Sequence, residues 1–137
     1  MSGRLEYQAP VEVSQEQRAS ALASGDERKI ADAMLFCSLN GEDYEFASKA
    51  LMLCSRSEDA SIRALAVICI SHILRVFGRI PEGNAEDLLV SAATSGLKPL
   101  TGNAQSVLED LSEWHPDLHR KILRRIGQHN QDDPSAE

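Results

Sequence analysis

Aromatic residues make up only 4 % of the 137-residue chain, and Trp114 is its single tryptophan. With a net charge of −7 as well, the chain lacks the basic, ring-studded surface on which nucleic-acid bases stack. A helical-repeat base-repair enzyme would need that surface, so this class is set aside. Long apolar runs are missing too. The longest, Ala64 to Ile70, falls short of the ~18 residues of a membrane span, and the start Met1-Ser-Gly-Arg-Leu-Glu6 has no signal-peptide core. A cytoplasmic protein without a membrane partner is expected. The three cysteines, Cys37, Cys54 and Cys69, form no Cys-x-x-Cys pair and fall at apolar helical positions, which favours core thiols over disulfides or metal ligands. There is no glycine-rich phosphate loop, no nucleophile elbow and no His-Glu-x-x-His pair. His115 and His119 are four apart, but Pro116 between them breaks the shared helical face that a metal would need. His72 reads as a core histidine rather than a general base. No catalytic residue, metal, cofactor or small-molecule substrate is therefore expected.

What the chain does contain is helical periodicity, and no strand signal accompanies it. Between Ala60 and Phe77, apolar residues at Ile62, Leu65, Ala66, Cys69, Ile73, Val76 and Phe77 keep a 3.6-residue period, while Val67, Ile70 and Leu74 fill much of the other side. A helix buried nearly all round needs helices on both sides, and burial of Ile62, Leu65, Cys69 and Ile73 is predicted. Caps and breakers mark out its neighbours. Ser24 and Glu27 have capping-box spacing before a helix over about 26–39, which Gly41 stops. A helix over 42–56 follows, and Ser55 with Glu58 offers a second capping box. Further helices are predicted from Ala85 to a stop at Gly96 and Pro99, over 103–114 with Ala104, Val107, Leu108, Leu111 and Trp114 inward, and over about 117–127. Residues before about Pro10 and from Gln128 on read as disordered, leaving an ordered core of about 11–128. The expectation is a single all-α domain of six or seven helices.

The helices pair at a repeating interval. Ala66-Val-Ile68 and Ser106-Val-Leu108 occupy like places roughly 40 residues apart, the spacing of HEAT-type hairpins that stack side by side. Asp59-Ala-Ser-Ile-Arg-Ala-Leu-Ala66, Ser71-His-Ile-Leu-Arg-Val-Phe-Gly78 and Leu100-Thr-Gly-Asn-Ala-Gln-Ser-Val-Leu-Glu-Asp-Leu111, in that order, resemble a family of small bacterial HEAT-like proteins, over about residues 28 to 114. Members of that family are often encoded beside contact-dependent inhibition or other polymorphic toxins. The resemblance thus implies an immunity protein that binds and neutralises a cognate toxin domain, one to one. The sequence departs from the family pattern at Gly102-Asn-Ala-Gln-Ser106, so the identity of the toxin does not carry over.

Charge points the same way independently. Residues 82–117 hold seven acids, Glu82, Glu86, Asp87, Glu109, Asp110, Glu113 and Asp117, against Lys98 alone. Such a field repels nucleic acid and attracts a basic partner. A toxin nuclease is basic because it binds phosphates. Glu82, Glu86, Asp87, Glu109, Asp110 and Glu113 are therefore the candidate partner-binding residues, and a solvated helix face is the plainer alternative for them. The basic run His119-Arg-Lys121 with Arg124 and Arg125 suits a polar cap on the open end of the stack better than a ligand surface. A HEAT-like scaffold or adaptor for another protein is the alternative function.

Overall fold

A computed structural model describes residues 14–132, and these form seven helices: α1 Gln15–Ser24, α2 Glu27–Asn40, α3 Tyr44–Ser55, α4 Ala60–Phe77, α5 Glu82–Ala93, α6 Lys98–Trp114 and α7 Pro116–Asp132. There is no strand among the described residues. The helices make two layers. In one, α2, α4 and α6 follow one another, α4 packing against both of the others; the second layer holds α3, α5 and α7, with α1 against α2 at the start. α4 also touches α3 and α5, so it has neighbours on three sides. That explains its composition. By length and mean hydropathy, 1.7, it could cross a membrane, and the fold uses it as the central helix, with Ala66, Val67, Cys69, Ile70 and Ile73 fully buried.

The repeat is visible in the register. The Ser71 hydroxyl donates to Asp110 Oδ2 at 2.8 Å and the Asn103 amide to the Ala64 carbonyl at 2.9 Å, both joining α4 to α6 across 39 residues. Arg125 on α7 donates to Glu86 on α5 across the same interval.

Several local expectations are corrected. The caps of α2 and α4 are not Ser24 and Ser55 but Asp26 and Asp59, whose carboxylates take the free N–H groups of Arg28 and Lys29, and of Ser61. A carboxylate is the stronger acceptor for those donors. The serines close the preceding helices, Ser24 donating to the Ala21 carbonyl and Ser55 to that of Met52. Glu27 reaches instead to the next hairpin, where it accepts from the buried Ser57 hydroxyl at 2.7 Å. α1 was not delimited in the sequence, although Ser14 and Gln17 form a true capping box at its start. Pro99 opens α6 rather than separating two helices, because proline loses nothing in a first turn. α5 begins at Glu82, three residues early. α7 continues to Asp132, past the point where disorder was expected; the expected disorder before Pro10 and after residue 132 lies outside the described residues.

Burial also differs at the edges of the pattern. Leu65 is half-buried rather than buried, and Val76 and Trp114 are exposed. At the end of α4 the packing is polar and aromatic. Tyr44 meets Phe77 edge-on at 5.3 Å and carries the Arg79 guanidinium 3.8 Å above its ring. Asp43 caps Phe46 from a positive φ of 60° and accepts from Arg18 Nε at 3.0 Å, tying α1 to the start of α3.

Candidate protein-binding site

The six candidate carboxylates divide between two helices with different neighbours. On α5, Glu82 Oε2 lies 2.8 Å from His115 Nε2. One turn on, Glu86 lies under α7: its side chain is only 16 % exposed, 2.7 Å from Arg125 Nη1 and 4.0 Å from Lys121 Nζ. Asp87 accepts from the same Arg125 nitrogen at 2.8 Å and is otherwise open to solvent. The hydrogen bonds Arg125 donates to Asp87 and Glu86 push its pKa above the ordinary value. These acids hold α7 against α5, helped by the buried Leu118 and Ile122. The basic run on α7 is thus a docked cap in part, through Lys121 and Arg125, with Arg120 paired locally to Asp117. The helix dipole does not account for it, because α7 runs on to Asp132 and leaves the run short of the last turn.

The α6 acids are placed otherwise. Asp110 sits half-buried at the seam with α4, accepting from Ser71. Glu109 and Glu113 are exposed, four residues and one turn apart, and no cation of the described residues pairs with either. Glu109 borders an open groove of about 520 Å³ between α6 and α7, floored by Leu108, Leu123 and Ile126. Of the six candidates, the two exposed acids left without an ion pair for a partner to engage are therefore both on α6.

Other chemically distinctive side chains are quiet. His72 is half-buried beside Arg75, whose Nη2 is 3.2 Å from its Nδ1; burial first, then the Arg75 charge, lower its pKa against the opposing pull of Asp110. The histidine expected in the core is thus half-buried, with this arginine as its side-chain neighbour. The three thiols are free and buried. Burial raises Cys37 and Cys54 to about 11 and Cys69 to about 12, so the nucleophilic thiolate is suppressed. Among the described residues no group of three or more His, Cys, Asp or Glu side chains converges as a metal site would require.

What the charge pattern left out is apolar. Leu39 and Val76, 37 % and 38 % exposed, lie on α2 and α4, where helical periodicity had assigned Val76 to the core. Exposure of this kind has no sequence signal, since an aliphatic residue on an outward stripe looks like any core residue.

No protein-family model matches the chain, and no curated protein matches it. Among solved structures, it is similar to a chain in the crystal structure of a CDI complex from Cupriavidus taiwanensis LMG 19424, with 30 % identity and a TM-score of 0.62. The match covers 82 % of this chain and 99 % of the other. At that identity over nearly the whole length of its relative, the chain belongs to the family of that CDI-complex protein.

Proposed function

We propose that the chain is an immunity protein, which binds the toxin domain of a CDI system one to one and neutralises it by covering its active site. The observation that carries this reading is the likeness, over 82 % of this chain, to a chain of a CDI complex. The unpaired acids on α6 support it physically. A toxin that cleaves nucleic acid must gather cations around its phosphate-binding cleft, and Glu109 and Glu113 offer those cations partners without first breaking an internal pair. A nuclease or ribonuclease is accordingly the toxin class that fits. The immunity protein then works in the cytoplasm, where such a toxin finds its substrate, and it works by occupancy rather than by catalysis.

Titration tests stoichiometry and mechanism together. A candidate toxin domain of the same CDI system is assayed for nucleic-acid cleavage while the purified chain is added. Activity should fall linearly and vanish near one equivalent. Inactivation by a small fraction of an equivalent would mean that the chain modifies its toxin enzymatically. Tight binding with activity intact would leave the adaptor reading in its place.

A further inference from the structure

One helix face open to a partner is the outer side of the layer formed by α2, α4 and α6. α4 has α2 and α6 on its flanks and α3 and α5 beneath it, so every side chain it exposes must emerge on the remaining side. Ile68 and Val76 do so, two turns apart and half-buried to exposed. On α2, Leu35 and Leu39 are likewise one turn apart and half-buried to exposed. The helices meet closely at one end: a Cβ on Gly41, just past α2, would lie 2.8 Å from Val76 Cγ1. On the other flank, the Ser71–Asp110 bond fixes α6 beside α4, with Glu109 and Glu113 on its outer side. One face therefore combines aliphatic side chains on α2 and α4, with the exposed Arg75 standing beside His72 among them, and an acidic edge on α6 whose Glu109 and Glu113 take part in no ion pair among the described residues.

We infer that this face is the docking surface for the toxin, and that the toxin meets it with an apolar patch bordered on one side by lysine or arginine. The inference rests on the immunity reading and adds to it which face binds and what chemistry the partner presents. Charge decides the occupant. A basic border satisfies Glu109 and Glu113, while exposed aliphatics supply the dry centre where binding energy concentrates. A second copy of this chain fits poorly. Two-fold pairing about α4 would set the α6 acids of one copy against α2 of the other, where the cations are Lys29 and an Arg28 already engaged by Asp32 at 3.7 Å. Lys29 alone would have to serve both Glu109 and Glu113, so at least one carboxylate would lose water without gaining a partner. α7 leaves the face open, because it packs on α5 and the far side of α6.

The test measures affinity of the full chain for a candidate toxin domain of the same CDI system, with three pairs of substitutions. Leu39→Asp with Val76→Asp should weaken binding by roughly 30-fold or more, the loss typical of removing central contacts. Glu109→Lys with Glu113→Lys should weaken it by roughly 10-fold, chiefly through slower association, and more so at low salt. Arg120→Glu with Arg124→Glu, on the exposed side of α7, should change it less than about 3-fold. Circular dichroism and melting verify folding, and Leu39→Asp alone serves if the pair unfolds. Wild-type affinity in both face variants, with loss in the α7 variant, would overturn the inference while leaving the immunity reading standing. A wild-type dimer that Leu39→Asp with Val76→Asp turns into monomer would also overturn it, since the occupant would then be a second copy. Failure of the wild-type chain to bind at micromolar concentration would refute the immunity reading, and the docking surface with it.

Discussion

Arg125 and Glu86 should be energetically coupled, and a double-mutant cycle measures by how much. Glu86→Ala removes one acceptor from Arg125, which keeps Asp87; Arg125→Ala leaves Glu86, 16 % exposed, with only Lys121 at 4.0 Å. Exposed pairs contribute ~0–1 kcal/mol, and breaking a buried pair costs ~3–5 kcal/mol. Arg125 is 38 % exposed, which places this pair nearer the lower range. A coupling of about 1–2 kcal/mol is expected, with each single change costing about 1.5–3 kcal/mol. For a chain of this size, 1 kcal/mol corresponds to a Tm shift of roughly 3–5 °C. Urea unfolding of wild type, both singles and the double gives the coupling directly. Glu109→Ala and Glu113→Ala, measured alongside, should each stay within about 0.5 kcal/mol of wild type. Additive effects of Glu86 and Arg125, within about 0.5 kcal/mol, would refute the coupling and return the α5 acids to the pool of free binding residues.

Gly41→Ala should cost more than Gly78→Ala. Both glycines have positive φ, 70° and 75°, but only the first would press a Cβ onto Val76. The shared term is roughly 1–2 kcal/mol and the extra one about 1 kcal/mol, so equal urea midpoints would contradict the packing at α2 and α4. The raised thiol pKa values predict that native protein near neutral pH resists a disulfide-exchange reagent and that all three cysteines react once urea unfolds it. Labelling of native protein within minutes would show that the core opens. Asp59 is held below the ordinary aspartate pKa by hydrogen bonds from Ser61. A lowered folded value contributes stability above the unfolded pKa of about 3.9 and loses it as pH falls through the folded value. Asp59→Ala should therefore melt below wild type at neutral pH, with the gap closing in acid; a gap that stays constant would exclude the cap.

The central helix was legible because nothing else explains eighteen residues with apolar side chains on nearly every face. Boundaries were less so. Ser24 and Asp26 both accept hydrogen bonds and stand two residues apart, and only the fold shows that the carboxylate takes the next helix while the hydroxyl finishes the last. Pro99 with Gly102 carries the composition of a break, yet proline is at home in a first turn and Gly102 has open space around it.

Charge was harder to read, because adding formal charges along a segment ignores what crosses from elsewhere. The acids of 82–117 looked like one patch, and the basic run of α7 looked like a separate feature with the opposite sign. A stacked repeat links the two. Residues about 39 apart face each other across neighbouring hairpins, as Ala64 with Asn103 and Ser71 with Asp110 do. Glu86 and Arg125 have that separation as well. Once the sequence shows a period near 40, opposite charges one period apart should be paired before either is counted toward a binding surface. By that rule the α5 acids become part of what holds the stack together. Glu109 and Glu113 fall outside it, since the positions one period earlier are the uncharged Ile70 and Leu74. Of the six candidates, they are the carboxylates on which a partner's cations can act without breaking an internal pair.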